Sequence, residues 1–432
     1  MKRVVLIEPT RSYRTGNFMS GAASLGLEVL VVSDEPNPLG DDLARFVDAD
    51  FGDIEKSVKK IAPIAFEFRA DAIVAIDDQG LSLAAALGEA TGISSISVDA
   101  AKRSMNKSEM RRVLAQNQIP QPEFESLDLN ESNDLVSKIR SFSDVVGGFP
   151  LVLKPSGLSG SRGVVKVSET DAIPSALRIV KKAVEMFDQK DRTFLVERYI
   201  DGAEFAVEGV VSGGEPEILA IFDKPRPLVG PYFEETIYLL PSAARAGLQQ
   251  QMKELVARSV VALGIDVGAF HAEVRVEGLL ASEKAVHASS GAKVFLIELA
   301  ARSIGGKCSK SLRFKNGRTL EEVLLARQLG IDLEGRTETR HQVSGVLMIP
   351  TPKEGILRSV SGIEAAAGLP WVTEVDISTP IGHYLRPVPF SEGYLGFVFA
   401  RGPSRSKVLD ALNQAENLLE FEIDPQSSTD DC

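Results

Sequence analysis

Short apolar runs alternate with helical patterns through the first hundred residues. The apolar and polar positions predict the following strands and helices: strands over 4–7, 28–32 and 72–76, and helices over 19–25 and 81–90. Strands that alternate with helices are typical of a parallel, doubly wound sheet. Asp77 and Asp78 follow the strand at 72–76, where such sheets bind ligands, although the same two residues also fit a helix N-cap.

From residue 151 the pattern changes to antiparallel strands joined by polar turns. The predicted strands are Leu151–Lys154, Val164–Val167, Phe194–Ile200, Phe205–Val211, Ile218–Phe222, Ala269–Val276 and Val294–Leu299. The predicted helices of this region are Leu248–Leu263 and Leu320–Leu329, and a helix over Ala101–Gln116 is predicted before it. Asp201-Gly202 predicts a hairpin turn between the third and fourth of these strands. A third block has strands near Val343–Ile349, Val372–Ile377 and Leu395–Ala400 and a helix over Arg405–Leu419, and its tail from Pro425 is polar.

Composition narrows the class of protein. The chain has 432 residues, of which 44% are hydrophobic and 25% charged, as in soluble multidomain enzymes. Its 48 basic and 60 acidic residues give a net charge of −12, which argues against nucleic acid or an anionic membrane as a partner. The first apolar run stops at Glu8, too early for a signal peptide. Cys308 and Cys432 cannot form a disulfide framework, so we expect a reduced, cytoplasmic setting.

A glycine- and serine-rich loop, Ser156–Gly163, joins two predicted strands. Its glycines allow the backbone to approach a ligand, and the N–H groups around Ser159, Gly160, Ser161 and Gly163 could hold phosphate oxygens. The loop is not a Walker A motif, because a strand follows it. A long flexible hairpin is the alternative. Lys154 ends an apolar strand just before the loop, and its compact charge suits a phosphate.

Two carboxylates on apolar strands form a second candidate site. Glu273 shares the polar face of its strand with His271 and Arg275, and Glu298 ends the next apolar run. If the two strands pair, both carboxylates can bind a hard cation. Mg²⁺ or Mn²⁺ is favoured over zinc, since the histidines at 271, 287, 341 and 383 lack zinc-like spacing. Arg302 follows closely and could stabilise charge on a transferring phosphoryl group, while Gly305-Gly306 could offer N–H groups to a carboxylate.

Three further residues gain interest from their positions. Glu197 and Glu204 flank the Asp201-Gly202 turn, and their carboxylates could accept hydrogen bonds from ribose hydroxyls or an exocyclic amine. Without context, both are ordinary strand charges. Lys107 lies on a basic helix, a pattern usually typical of a solvated face, but directly before the phosphate-loop region.

Taken in order, these motifs resemble the ATP-grasp superfamily. The phrases Val-Glu197-Arg-Tyr-Ile-Asp-Gly-Ala-Glu204 and Ile-Glu298-Leu-Ala-Ala-Arg302 are most similar to carboxylate–amine ligases that include the L-amino acid (dipeptide) ligases. The segments from Gly345 to Pro350 and from Gly396 to Ala400 resemble the C-terminal subdomain of that branch. The resemblance implies an α/β and α+β protein with these domains: a doubly wound pre-ATP-grasp domain over 1–104, two ATP-binding α+β lobes over 105–335 with a lid lobe at about 120–200, and a C-terminal α+β subdomain over 336–432.

The resemblance also implies a reaction and a set of roles. ATP would activate a small carboxylate as an acyl phosphate, and an amine would then displace phosphate. For the nucleotide, the resemblance implies that Lys107 and Lys154 hold phosphates, that Glu197 and the backbone of Tyr199 and Ile200 bind adenine, and that Glu204 binds ribose. It implies that Glu273 and Glu298 bind Mg²⁺ and take part in catalysis, and that Arg302 stabilises the acyl phosphate. His271 and the Ser303–Gly306 turn, including Gly305, would line the substrate side. A homodimer is plausible from the family.

The chain departs from the family pattern at one metal-site position and carries two further features. Many ATP-grasp enzymes have Asn two positions after the second metal carboxylate, where this chain has Ala300, as the amino-acid ligase branch tolerates.

The segment Glu277–Lys293 is longer than a hairpin needs and is interpreted as a surface excursion more than as a substrate lid. Basic residues follow Gly306, namely Lys307, Lys310, Arg313, Lys315 and Arg318. They suggest a substrate with an extra negative charge, although a solvated helix face explains them equally well.

Two other functions stay open from the sequence. One is a carboxylase or purine-pathway type of ATP-grasp ligase that activates bicarbonate or another small carboxylate. The other is a non-catalytic nucleotide-binding regulator, which would have no need to keep Arg302 together with both metal carboxylates.

Overall fold

The computed structural model describes residues 1–9, 12, 14–35, 45–131, 134–279, 292–333 and 342–425. His287, His341, Cys432, most of the 277–293 segment and the tail after Pro425 therefore lie outside the described residues. Within the described ranges, no helix is both long and apolar enough to cross a membrane.

The N-terminal region forms the predicted doubly wound sheet. Its elements are β1 (Arg3–Ile7), α1 (Thr15–Ser24), β2 (Glu28–Ser33), β3 (Arg45–Asp48), α2 (Ile54–Phe68), β4 (Ala72–Ala75) and α3 (Leu81–Thr91). The strands run parallel in the order β3-β2-β1-β4. Alternate residues of β1 pack on opposite faces, Val5 and Ile7 against α2 and α3, and Val4 and Leu6 toward Phe18 of α1. Helices on both faces explain why this strand is apolar and buried from Val4 to Ile7.

The helix predicted over Ala101–Gln116 is two helices. They are α4 (Val98–Met105) and α5 (Lys107–Gln116). Asn106 between them has an extended backbone, and its side chain accepts a hydrogen bond from the Glu109 N–H. This N-cap starts a new helix in a new direction, and it places Lys107 in the first turn of α5.

A small antiparallel sheet forms the first lobe of the middle region. Its elements are β5 (Phe124–Asp128), α6 (Leu135–Val145), β6 (Leu151–Pro155), β7 (Val165–Val167), α7 (Ile173–Met186) and β8 (Thr193–Arg198). The strand order is β5-β8-β6-β7. The predicted hairpin of β6 and β7 is present, and the glycine-rich loop joins the two strands.

A large antiparallel sheet, a small separate sheet and four α-helices make up the described part of the chain from residue 202 onward. Its first elements are β9 (Gly202–Ser212), β10 (Glu215–Asp223), β11 (Ile237–Leu240), α8 (Ala246–Leu263), β12 (Gly268–Glu277), β13 (Val294–Ala300) and α9 (Leu320–Leu329). The C-terminal elements are β14 (Val343–Ile349), β15 (Gly355–Ser361), α10 (Ile363–Ala367), β16 (Val372–Ile377), β17 (Tyr384–Leu385), β18 (Gly396–Gly402), α11 (Arg405–Leu418) and β19 (Glu420–Asp424). The described strands of the large sheet are ordered β13-β12-β9-β10-β11-β14-β18-β16, so C-terminal strands continue the sheet of the second lobe. A separate small sheet has the order β17-β15-β19.

The Asp201-Gly202 turn does not form the predicted hairpin. The strands that it joins, β8 and β9, lie in different sheets. Gly202 is opposite Glu277 of β12, and the Gly278 N–H donates to the Asp201 carbonyl at 2.9 Å. The local signal for a tight turn is correct, but the turn carries the chain from one lobe to the other.

Gly202 should therefore tolerate no side chain. Its φ is +150°, and a Cβ atom would lie 1.9 Å from the Val276 carbonyl oxygen. We expect Gly202→Ala to lower the free energy of unfolding by roughly 3 kcal/mol or more, because backbone must move. Gly213→Ala is the matched control: its φ is +60° but nothing lies within 4 Å of the new Cβ, so the loss should be about 1 kcal/mol. Urea unfolding followed by circular dichroism would measure both losses, and equal losses would contradict the prediction.

Candidate active site

A cleft between the two sheets brings together most of the residues that the sequence singles out. Its empty volume is about 690 Å³. The predicted residues on its wall are Lys107, Lys154, Ser159, Ser161, Glu197, Tyr199, Ile200, Glu204, Glu273 and Glu298. They come from α5, β6, the glycine-rich loop, the end of β8, β9, β12 and β13. The sites predicted separately from the glycine loop and from the acidic strands are therefore one site.

The first turn of α5 holds the glycine-rich loop against the cleft. The Lys107 N–H donates to the Ser156 carbonyl at 2.9 Å, and its ammonium donates to the Leu158 carbonyl. The same ammonium lies 3.1 Å from Oε1 of Glu298. One buried lysine thus contacts both the loop and the acidic strand, a position from which it can hold a phosphate.

Gly163 ends this loop in a position that only glycine fits. Its φ is +70°, and a Cβ would lie 2.8 Å from atoms of Pro155 and Ala183. Its N–H donates to the Pro389 carbonyl at 2.9 Å. In this structure Gly163 therefore shapes the loop and docks it on the C-terminal region, while Ser159 and Ser161 face the cleft.

Glu197 is a buried carboxylate shared by two cations. Its Oε2 lies 2.8 Å from the ammonium of Lys154, and its Oε1 lies 2.7 Å from Nε of Arg111. Burial alone would raise the pKa of Glu197, but the two cations outweigh burial and hold that pKa below its usual value. Burial also lowers the pKa of Lys154 to about 8. The Glu197 carboxylate is thus ionised and fully paired at this end of the cleft.

Glu204 has the same kind of environment. Its two oxygens each lie 2.6 Å from a cation, the ammonium of Lys224 and Nε of Arg275. The predicted adenine-side backbone is also engaged, since the Tyr199 N–H donates to the Pro150 carbonyl and the Ile200 carbonyl accepts from Arg275.

The acidic strands pair in the register that the site requires. Glu273 of β12 lies directly opposite Glu298 of β13, with a bulge just beyond the pair. Opposite residues of antiparallel strands project on the same face, so both carboxylates reach the cleft. Glu273 also lies 2.9 Å from the Lys224 ammonium. Burial would raise its pKa, but Lys224 outweighs burial and holds the Glu273 pKa well below the usual range.

A third carboxylate, Glu235, was not foreseen. Oxygens of Glu204, Glu235 and Glu273 lie within 4.8 Å of one another, the one such acidic group found among the described residues. Lys224 contacts all three. Burial raises the pKa of Glu235 to about 7. The neighbouring carboxylates Glu273 and Glu204 add to this rise in the pKa of Glu235.

The donor set fits a divalent metal of the hard class. Carboxylate oxygens of Glu273, Glu235 and Glu298 all line the same cleft, and such oxygens suit Mg²⁺ or Mn²⁺. In this structure lysine ammonium groups balance these charges.

One end of the cleft is apolar and aromatic. The rings of Tyr199 and Phe233 stack with centroids 6.1 Å apart, and the Arg275 guanidinium lies 5.2 Å and 5.3 Å from their centroids. The Leu228 carbonyl accepts hydrogen bonds from Tyr199 and Arg275 at this end, and Val152, Val164 and Ile297 also line the cleft. A flat aromatic base fits such a surface.

The remaining predicted residues do not lie on the cleft wall. These are His271, Arg302, Ser303, Gly305 and Gly306, together with Gly160 and Gly163 of the loop. Arg302 extends toward the N-terminal sheet, where its Nε lies 2.9 Å from Oδ2 of Asp78. Burial would raise the pKa of Asp78, but Arg302 outweighs burial and lowers it. Asp77 pairs with Arg14 at 2.7 Å and its side chain caps the turn that follows, so the N-cap interpretation of Asp77 is confirmed.

His271 belongs to a buried polar chain behind Glu273. Its Nδ1 lies 3.2 Å from Glu208, and its Nε2 lies 3.9 Å from Glu273. Burial lowers the pKa of His271, but the two carboxylates outweigh burial and leave it raised. Glu208 also accepts the Ile304 N–H at 3.1 Å. The Ser303–Gly306 turn is thereby fixed to the central sheet.

Three of the five basic residues after Gly306 are paired with acidic ones. Lys307 lies 2.6 Å from Asp376, and Lys310 lies 2.6 Å from Glu374, both on β16. Arg318 pairs with Glu322 at 2.8 Å. Carboxylates of the protein therefore offset the charges of Lys307, Lys310 and Arg318, and the extra negative charge on the substrate stays a prediction.

Sequence reasoning missed the roles of Arg111, Lys224 and Glu235. For Arg111 a signal was present, because it lies one helical turn after Lys107 and so on the same face of α5. Lys224 follows the apolar run of β10 just as Lys154 ends that of β6. Glu235 lies between strands, in a segment with no local pattern that predicts its position.

Comparisons with known proteins identify the fold and its two matched domains. Residues 147–311 match the family described as the ATP-grasp domain. Residues 347–424 match L-amino acid ligase C-terminal domain 2. The chain therefore contains an ATP-grasp domain followed by a C-terminal domain of the L-amino acid ligase type. The two matched domains contain the lid hairpin with the acidic strands and the C-terminal sheet, respectively.

Individual ATP-grasp relatives are distant. An alanine–anticapsin ligase of Bacillus subtilis is 24% identical over 242 residues, which are 51% of this chain and 48% of that protein. The chain spans about half the length of the curated relatives it matches. Among solved structures, an L-amino acid ligase from Bacillus licheniformis has a TM-score of 0.77 at 23% identity, covering 99% of both chains. N5-carboxyaminoimidazole ribonucleotide synthetase from Thermotoga maritima has a TM-score of 0.68 at 17% identity, covering 98% and 100%. At these identities the structures establish the shared fold.

The pKa of Lys154 predicts how ATP affinity depends on pH. Below about pH 8 the lysine is protonated in the free protein and available to an anion; above it, binding must take up a proton. The dissociation constant for ATP should therefore rise above pH 8, by at most about tenfold per pH unit. Calorimetry across this range would measure the change. Lys154→Arg keeps its charge and should flatten the profile, and parallel profiles for both proteins would contradict the prediction.

Proposed function

We propose that this protein is an ATP-dependent carboxylate–amine ligase that forms an amide or peptide bond and releases ADP and phosphate. Its substrates are amino acids or related small acids, together with an amine. The observation that carries the proposal is the single cleft in which two lysines, a glycine-rich loop and opposed carboxylates meet.

The cleft supports each part of ATP binding. We assign the phosphates to Lys107, Lys154 and the loop at Ser159–Ser161, and the base to the aromatic end with Glu197 and the Tyr199–Ile200 backbone. Glu204 is assigned to the ribose. Glu273 and Glu298 would hold Mg²⁺ (or Mn²⁺), which when bound offsets phosphate charge. Lys224 joins this set, since it already balances Glu204 and Glu273.

The proposed chemistry has two steps. A carboxylate oxygen of the first substrate attacks the terminal phosphorus of ATP, the bond to ADP breaks, and an acyl phosphate forms. The amine then attacks the acyl carbon, phosphate leaves, and the nitrogen loses a proton. Arg302 provides a fixed positive charge for the oxygens that become more negative in both steps, while His271 and the Ser303–Gly306 turn position the substrates.

The C-terminal region supports an amino-acid substrate over bicarbonate. It matches the L-amino acid ligase domain over 347–424, and its strand β16 supplies Asp376 and Glu374 to the residues after Gly306. We retain domain boundaries at 104/105 and 335/336 as part of the proposal.

We also propose a homodimer, on the family resemblance alone. Light scattering coupled to size-exclusion chromatography should give about twice the chain mass of 46.5 kDa, and a single-chain mass would refute the dimer.

The ligase proposal predicts phosphate release that requires both a carboxylate and an amine. A matrix of amino acids and other carboxylates against amines, with ATP and Mg²⁺, would be measured by phosphate release and product mass. Bicarbonate-dependent ADP formation would instead indicate the carboxylase type of ligase. ATP binding without any product would indicate a regulator.

Variants separate chemistry from folding. We expect Glu298→Ala and Arg302→Ala each to lower turnover by about 100-fold or more while the circular dichroism spectrum is retained. Arg358→Ala and Glu422→Ala are matched controls, because these residues lie on the small β17-β15-β19 sheet. Near-normal turnover in Glu298→Ala and Arg302→Ala would refute the assignment.

A further inference from the structure

Arg111 is a fully buried arginine that stands behind the cleft rather than in its wall. Its side chain is 0% exposed, and it is absent from the residues that line the cleft. Its Nε lies 2.7 Å from Glu197, and its two terminal nitrogens donate to the carbonyls of Leu296 and Ile297 at 3.2 Å and 2.6 Å. An arginine in this position cannot contact a ligand in the cleft directly.

Glu197 therefore has an inner and an outer cation. Arg111 is the inner partner, and Lys154, which lines the cleft, is the outer partner at 2.8 Å. With one carboxylate between two cations, the outer lysine can turn toward an anion while the buried carboxylate keeps a charged partner. If Lys154 were the only partner, its departure would leave an unpaired buried charge, which is strongly unfavourable.

We propose that Arg111 is a positioning residue that keeps Glu197 paired and thereby makes Lys154 available to the phosphates of the nucleotide. The role rests on the proposed binding of ATP in this cleft. It explains why a residue with no access to the ligand carries a full charge in the protein interior.

The backbone contacts of Arg111 place a second constraint on the site. Ile297 directly precedes Glu298, so the arginine holds β13 at the point where the acidic strand enters the cleft. A purely structural role would act through this strand alone. The two roles are separable, because only charge pairing depends on the carboxylate of Glu197.

A double-mutant cycle tests the charge-pairing role. The probe is inorganic tripolyphosphate with Mg²⁺, since it reports on the phosphate side without the adenine contacts of Glu197. We expect Arg111→Gln to weaken tripolyphosphate binding by about tenfold, and Arg111→Lys to stay within about threefold of the unaltered protein. Adding Glu197→Gln to Arg111→Gln should restore affinity to within about threefold, because Lys154 then has no carboxylate to hold it. Arg192→Gln, a surface change in the same lobe, is the control.

Each outcome decides the proposal. A folded double variant that binds as weakly as Arg111→Gln would overturn it and leave Arg111 as a support for β13. If Arg111→Gln does not fold, Glu197→Gln alone is the test: it should bind tripolyphosphate at least as tightly as the unaltered protein, and weaker binding would overturn the proposal. Absence of tripolyphosphate binding to the unaltered protein would overturn both this role and the ATP site. Binding without ligase turnover would count against the proposed reaction only.

Discussion

The pairing of β12 with β13 is the constraint on which the rest of the site depends. Because Glu273 lies directly opposite Glu298, two carboxylates project from one face of the central sheet into the same cleft. A shift of one residue in this register would send one of them to the other face. The same register sets the position of Arg302, four residues after Glu298, and that of His271 behind Glu273. Strand pairing thus brings residues that are distant in the sequence together in one site.

Lysine and arginine partners allow the carboxylates of this cleft to be buried in their ionised form. Glu197, Glu204 and Glu273 each contact a lysine, and arginines support the first two from the other side. Burial favours the neutral form of a carboxylate, and at Glu235, which shares Lys224 with two other carboxylates, burial outweighs the lysine and raises the pKa to about 7. The lysines of the cleft thus stabilise the carboxylates of the protein before any ligand is present. An anion and a divalent cation that enter together can exchange with these pairs without changing the net charge greatly.

Sequence patterns predicted the positions of strands and helices well, but they predicted less well which strands pair and which side chains meet. The strands that carry Lys154, Glu204, Glu273 and Glu298 were expected within a few residues of their observed bounds, because apolar periodicity is a local property. The Asp201-Gly202 turn was placed correctly but assigned the wrong neighbour, since sheet membership depends on contacts far along the chain. The break at Asn106 was missed because the apolar pattern continues through it. Arg111 and Lys224 were missed as site residues because their carboxylate partners lie 86 and 11–49 residues away.

The continuous central sheet has a consequence for how the chain can be divided. Strand β14 pairs with β11 over Ile237–Leu240, and β18 and β16 follow it in the sheet. One edge strand of the central sheet, β16, therefore belongs to the C-terminal region. The side chains of β11 are all buried in this structure. In a fragment that ended before β14, β11 would become an exposed, apolar edge strand with unpaired backbone groups. Exposed edge strands of this kind pair with strands of other molecules and promote aggregation. The C-terminal region therefore covers the edge of the lobe that carries Glu273 and Glu298, and the proposed boundary at 335/336 divides the sequence without dividing this sheet.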